Sequence, residues 1–105
     1  MVGAAALGRD DVVDYTMGSR LIRVLIVSAN SYTRSFPIIA LIHSRADGDV
    51  PGILLPLPPD LAGGGTIDLS RIRFADPFAF GHRYGRISSA LAAKVDGGLR
   101  RLLAL

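Results

Sequence analysis

Short apolar runs rich in β-branched residues, each closed by glycine, proline or polar residues, make up most of this 105-residue sequence. The run at 21–28 is nearly continuous and therefore predicts a central strand that is buried on both faces. Two shorter runs follow at 37–42 and 52–57, and Pro58 and Pro59 predict that the second of them is an edge strand. We therefore expect the fold to be built on a β-sheet.

Further strands are predicted on either side of these runs. The segment 11–15 is a short strand that the turn residues 17–20 join, as a hairpin, to the run at 21–28. The segment 66–74 alternates apolar and polar residues and predicts a half-buried strand. We expect a bulge near Arg71, because only a change of register returns the apolar residues after it to the inward face.

A short strand at 84–87 and a helix complete the predicted elements. Ser88 or Ser89 caps the helix, and the pair Gly97 and Gly98 in its middle predicts close packing against another element. The core-facing stripe consists of Leu91, Val95, Leu99, Leu102 and Leu103. The fold class is therefore mainly β with a C-terminal helix (α+β), a strongly bent sheet or half-open barrel in one domain, 1–105, with residues 1–8 as a loose tail.

The composition indicates the kind of partner and compartment. Eleven of the twelve basic residues are arginine and all nine acidic residues are aspartate, which suits an anionic partner, although a GC-rich genome explains the bias equally well. The absence of cysteine excludes disulfides and thiolate metal sites and fits a reducing cytoplasm. The first seven residues lack a cationic segment and are too short for a secretory or membrane-spanning stretch. We expect an unprocessed cytoplasmic protein with no membrane association.

Several segments, taken in order over 11–105, resemble the MazF/PemK toxin family. They are the strand end at 24–30, the strand 38–44 that finishes in His43 and Ser44, the stretch 67–73, the segment 84–88, and 95–99 with Leu102 and Leu103. The resemblance implies an SH3-like small barrel of the MazF/CcdB type. It also implies a homodimer that cuts single-stranded RNA at short sequences without a metal or other cofactor, and that a small acidic antitoxin neutralises.

The catalytic positions of that family fall on different residue types in this sequence. The slot for an arginine falls on Ile22 and that for the following proline on Arg23, while the slot for a threonine falls on His43, with Ser44 next. Metal-free RNA cleavage needs a proton acceptor for the 2′-hydroxyl, a proton donor for the leaving oxygen, and positive charge near the phosphate. We therefore predict His43 as the base, Ser44 as a hydrogen-bond donor to the phosphate and Arg23 as the clamp, with Arg20 as an alternative.

Each of these assignments has a plainer alternative. A histidine at a strand end is often a solvated edge residue, and Arg23 is equally explained by pairing with Asp14 or Asp68 across the sheet. Tyr32 and Phe36, which flank Arg34, are candidates for stacking on RNA bases but also for covering the mouth of the barrel. The remaining predicted RNA-binding residues are Arg20, Arg45, Arg73 and His82.

Two other functions remain open from the sequence. One is a non-catalytic toxin of the same fold that acts on a protein target such as a gyrase, and the other is a degenerate module that binds RNA or antitoxin without cleavage. The single-domain endoribonuclease toxin is the main hypothesis.

Overall fold

Six antiparallel strands and a C-terminal helix form the fold in the computed structural model, which describes residues 7–30, 35–44 and 52–104. The strands are β1 (Asp11–Met17), β2 (Arg20–Ile26), β3 (Ile38–His43), β4 (Leu54–Leu57), β5 (Gly65–Phe74) and β6 (Phe80–Arg86), followed by the helix Ser89–Leu103. They lie in the order β4-β5-β3-β2-β1-β6. The predicted fold class and the edge position of β4 are confirmed, but the sheet ends at β4 and β6 and is not a closed barrel.

Hydrophobic side chains cover both faces of the central strands, as the run at 21–28 predicts. Leu25 belongs to the core cluster under the C-terminal helix, whereas its neighbours Val24 and Ile26 belong to a second cluster on the other face, and all three are fully buried. In the second cluster the rings of Tyr15 and Phe80 pack with centroids 5.3 Å apart. Because successive residues of a strand face opposite ways, β2 serves both cores at once.

The bulge predicted near Arg71 is present where β5 pairs with β3. Ala40 lies opposite Ile72, but the next residue, Leu41, lies opposite Asp68, so the three residues between Asp68 and Ile72 have no counterpart in β3. Ile72 returns to the core as expected. The same expectation is wrong for Phe74, the last residue of the strand, which is 71% exposed.

The beginning of the described chain is packed against the sheet. Leu7 is buried in the second core cluster, and the backbone N–H of Gly8 donates to the Asp11 carboxylate at 2.8 Å. Asp11 is itself buried and lies 2.9 Å from the Arg83 guanidinium of β6. The predicted loose tail therefore does not extend to these two residues, and its first six residues lie outside the described part of the chain.

The C-terminal helix begins and packs as its sequence predicts, except in its last turn. The Ser88 hydroxyl caps it by accepting a hydrogen bond from the Leu91 N–H. Leu91 and Val95 are buried against the first core cluster, but Leu102 and Leu103, which the sequence places on the same stripe, are exposed. Among the helices of the described residues, none has the length and apolar character needed to span a membrane.

The predicted close packing at the helix glycines occurs at Gly98. A Cβ atom there would lie 2.0 Å from the backbone oxygen of Gly52 and 2.6 Å from Leu69. We expect Gly98→Ala to lower the free energy of unfolding by about 1–3 kcal/mol, since backbone cannot move aside cheaply.

Gly97→Ala is the matched control for this change, because its Cβ would meet only the Arg101 side chain, at 3.9 Å. It should raise stability by up to about 1 kcal/mol through helix propensity alone. Urea unfolding of both variants measures the difference, and equal effects at the two positions would contradict the close contact.

Candidate functional site

A groove of about 550 Å³ is lined by residues of β1, β2, β3 and β5. His43 and Ser44 line it together with the arginines Arg20, Arg23, Arg71 and Arg73, and the acidic residue that lines it is Asp14. Arginine supplies fixed positive charge and a planar fork of N–H donors. The groove is therefore suited to an anion with several oxygens.

His43 ends β3 at this groove and is held by a carboxylate from the neighbouring strand. Its Nε2 lies 2.8 Å from Oδ2 of Asp68. The two residues reach each other because Leu41, on the same face of β3 as His43, lies directly opposite Asp68 in β5. The side chain of His43 is 32% exposed and that of Asp68 only 6%, so the imidazole lies at the surface and its partner beneath it.

The Asp68 carboxylate has hydrogen-bond partners on both oxygens. The backbone N–H and the hydroxyl of Ser70 both donate to Oδ1, while His43 contacts Oδ2. Burial raises the pKa of Asp68, but the hydrogen bonds from Ser70 and His43 outweigh it and hold that pKa below its usual value. Asp68 is therefore ionised at neutral pH.

Arg71 approaches the same carboxylate from the bulge in β5. Its Nε lies 3.2 Å from Oδ2 of Asp68, the oxygen that also contacts His43. The side chain of Arg71 is 63% exposed. An imidazole and a guanidinium thus meet at one buried oxygen on the wall of the groove.

Arg23 has a different environment, although it also lines the groove. It lies opposite Ile42 in the register, so it belongs to the face of the sheet opposite to that of His43. Its Nη1 donates to the backbone oxygens of Ala62 and Gly64 in the turn between β4 and β5. Asp14 lies opposite Arg23 in the register of β1 and β2, the arrangement in which the predicted pairing of the two could form. The catalytic role of Arg23 stays a prediction.

The other predicted RNA-binding residues are dispersed. Arg20 and Arg73 line the groove, where Nη1 of Arg73 lies 3.0 Å from the Met17 sulfur. Phe36 is exposed beside the opposite end of β3, away from His43. Tyr32, Arg34 and Arg45 lie outside the described residues.

His82 lies on the edge strand β6, beside the groove rather than in it. Its ring contacts that of Tyr84 edge-on, with centroids 4.7 Å apart. The Tyr84 hydroxyl donates to Oδ1 of Asp14, a groove residue, and this hydrogen bond raises the pKa of Tyr84. The pair therefore adjoins the rim of the groove through Asp14.

Sequence reasoning missed Asp68 and Arg71 as members of the site. The available signal was an aspartate in the middle of an otherwise buried strand segment, since an ionised residue there needs specific partners. To identify His43 as that partner, the register of β3 and β5 must be known, and the sequence alone does not give it. Within residues 7–30, 35–44 and 52–104, no three histidine or acidic side chains form a group that could hold a metal ion.

The fold is shared with several solved structures. A mycobacterial endoribonuclease in complex with its cognate antitoxin superposes with a TM-score of 0.83 at 20% identity, over 94% of this chain and 96% of that one. A MazE-MazF structure from Deinococcus radiodurans gives 0.81 at 20% identity, over 94% and 96%. No protein-family model and no curated protein matches the sequence. The fold implied by the sequence resemblance is thereby confirmed.

The lowered pKa of Asp68 predicts that this carboxylate stabilises the folded protein in a pH-dependent way. A carboxylate whose pKa is lower in the folded than in the unfolded protein stabilises the fold above its unfolded pKa of about 3.9, and this contribution is lost as the pH falls through the folded value. Because hydrogen bonds to a charged group contribute about 1.5–3 kcal/mol, we expect Asp68→Asn to lower the free energy of unfolding by about that amount at pH 7.

The difference between wild type and Asp68→Asn should shrink as the pH falls below about 4, because the unfolded chain takes up its proton there, and should vanish only below the lower pKa of the folded carboxylate. Urea unfolding at pH 7 and at pH 3 measures it, and Asp60→Asn, at an exposed turn position, is the matched control. A loss that stays the same at both pH values would contradict the assignment.

Proposed function

We propose that this protein, whose fold is that of the MazF endoribonucleases, is itself an endoribonuclease toxin that cleaves single-stranded RNA without a metal ion. The observation that carries the proposal is the imidazole of His43, held by Asp68 on the wall of a groove lined by four arginines. A group that can accept a proton, beside fixed positive charge, is what cleavage through the 2′-hydroxyl requires.

The proposed reaction uses the RNA's own 2′-hydroxyl as nucleophile. His43 takes the proton from this hydroxyl while the 2′-oxygen bonds to the adjacent phosphorus, and the bond from phosphorus to the 5′-oxygen breaks. The leaving oxygen takes up a proton from water, and the imidazolium later returns its own proton to solvent, so the products are a 2′,3′-cyclic phosphate and a 5′-hydroxyl. Ser44, next to His43, donates to a non-bridging oxygen, and the arginines of the groove stabilise the added negative charge.

The groove favours single strands over duplexes for a physical reason. RNA bases are read in single strands, where they can be splayed and stacked on aromatic or guanidinium planes. The edge-on pair of His82 and Tyr84 adjoins the rim and offers such a plane. We propose that base preference at the cleavage site comes from contacts of this kind.

A homodimer and an acidic antitoxin complete the proposal. Two of the similar structures hold a toxin with its antitoxin, and this chain, with a net charge of +3, suits an acidic partner. Phe36 and Phe74 are both exposed, and they belong to adjacent segments, since the Ala75 N–H donates to the backbone oxygen of Pro37. Burial of this aromatic surface between two copies would stabilise a small domain. A cysteine-free chain fits action in the cytoplasm.

Two outcomes would favour the other candidate functions. Binding of RNA with a steep salt dependence but without cleavage would indicate the degenerate binding module, for which the apolar Ile22 in the family's arginine slot is an argument. Growth arrest that persists in a His43→Ala variant, with RNA intact, would indicate a protein target.

The test of the main proposal is RNA cleavage in the presence of EDTA. We expect the wild type to cut single-stranded RNA, leaving 2′,3′-cyclic phosphate ends, and His43→Ala to lower the rate by about 10²- to 10⁴-fold, the usual contribution of a general base. Mass spectrometry of the RNA fragments identifies the ends and the cleaved sequence.

Lys94→Ala is the control, since Lys94 is exposed on the C-terminal helix and does not line the groove. It should cleave like the wild type. Full activity of His43→Ala would contradict the site, and loss of activity in EDTA would contradict metal independence.

The dimer is tested by mass in solution. We expect light scattering to give twice 11.1 kDa for the wild type and a shift toward the monomer for Phe74→Glu, because a charge there opposes burial. Ala93→Glu, at an exposed residue of the C-terminal helix, controls for the added charge. A dimer that withstands Phe74→Glu would place the interface elsewhere.

A further inference from the structure

We propose that Asp68 is the positioning residue for His43, and that Arg71 supplies the guanidinium that stabilises the phosphate during cleavage. The inference rests on the proposed function and assigns two residues that the sequence comparison with the family does not mark. The observation that carries it is a single oxygen, Oδ2 of Asp68, which contacts both Nε2 of His43 and Nε of Arg71.

The contact with Asp68 decides which nitrogen of His43 acts as the base. An ionised carboxylate can only accept hydrogen bonds, so Nε2 of His43 must donate its proton to Oδ2. In the neutral imidazole the lone pair then lies on Nδ1. Asp68 thereby fixes the tautomer in which Nδ1 receives the proton of the 2′-hydroxyl, and its negative charge stabilises the imidazolium that forms.

Asp68 is well held for this task. Its side chain is 6% exposed, and Ser70 donates two hydrogen bonds to Oδ1, which leaves Oδ2 for the imidazole. A partner that cannot rotate restricts the ring of His43 to one orientation, which is the main requirement for a base that must meet its substrate within hydrogen-bond distance.

Arg71 is the groove arginine that contacts the same Asp68 oxygen as the imidazole of His43. Its Nε contacts Asp68, while the side chain is 63% exposed and its two terminal nitrogens form the fork that binds phosphate oxygens. Arg23, by contrast, donates through Nη1 to two backbone oxygens and belongs to the other face of the sheet. Arg73 has its Nη1 against the sulfur of Met17.

The bulge in β5 explains how Arg71 comes to serve the site. It lies among the three residues that have no counterpart in β3, so its direction is not set by the alternation of the strand. Ile22, in the family's arginine slot, is on β2, on the other side of β3 from Arg71. The guanidinium therefore reaches the phosphate from β5, where the resemblance would place it on β2.

The pH dependence of cleavage distinguishes the two roles. Among the described residues, the charged groups that contact His43 or line its groove are Asp68, Arg71 and Arg73 from β5, Arg20 and Arg23 from β2, and Asp14 from β1. Loss of the carboxylate makes a proton harder to hold on the ring, whereas loss of the guanidinium makes it easier. The acid limb of the pH–rate profile should move to lower pH in Asp68→Asn and to higher pH in Arg71→Ala.

The experiment compares kcat and KM for these variants on a single-stranded RNA that the wild type cleaves, from pH 5 to pH 9. We expect kcat to fall about 10²-fold in Asp68→Asn and about 10²- to 10³-fold in Arg71→Ala, with a smaller change in KM, because both act mainly in the transition state. Asp68→Glu, which keeps the charge, should recover part of kcat. Arg100→Ala, exposed on the helix, is the matched control for Arg71.

Thermal unfolding of each variant checks that it is folded. If Asp68→Asn does not fold, Arg71→Ala still tests the inference. NMR of the His43 ring nitrogens provides a second readout, with the Nε2–H tautomer expected in the wild type and a mixture in Asp68→Asn. If the wild type cleaves and folded variants keep its kcat and acid limb, only this inference is overturned. If the wild type leaves RNA intact, the proposed function is overturned as well.

Discussion

Asp68 carries a charge that is almost wholly removed from water, and such a charge is tolerated only where hydrogen bonds replace the lost solvation. Two of its partners come from Ser70, two residues further along the same strand, and a third from His43 at the end of β3. The carboxylate therefore joins β3 to β5 at the point where the groove begins. The position of the imidazole, and with it the chemistry of the groove, depends on this one buried group.

The bulge in β5 separates two functions of that strand. Ile67 before it and Leu69 at its first position are fully buried in the core beneath the helix, and after it Arg73 and Phe74 are exposed. A strand with regular pairing would have to place its polar and apolar residues in strict alternation along its whole length. Three unpaired residues allow the first half to fill the core and the second to line a basic groove.

Much of the fold could be predicted because it depends on local signals. The doubly buried run of β2, the prolines that follow β4 and the Ser88 cap each specify their own structure without reference to distant residues. The site was harder to predict from sequence, since the contact between His43 and Asp68, which are 25 residues apart, depends on the register of two strands. Similarly, the one-residue difference between Ile22 and Arg23 is minor in sequence, yet it moves a side chain to the other face of the sheet.

The contact between Nε2 of His43 and the Asp68 carboxylate limits the route by which a proton can pass through the imidazole ring. An imidazole with two accessible nitrogens can pass a proton through its ring, from one partner to the other. Here one side of the ring is committed to Asp68, so any proton that enters at Nδ1 must leave by the same atom. Under the proposed function, His43 would therefore take up and release its proton through Nδ1 alone, and Nδ1 would have to face solvent or substrate again before the next cleavage.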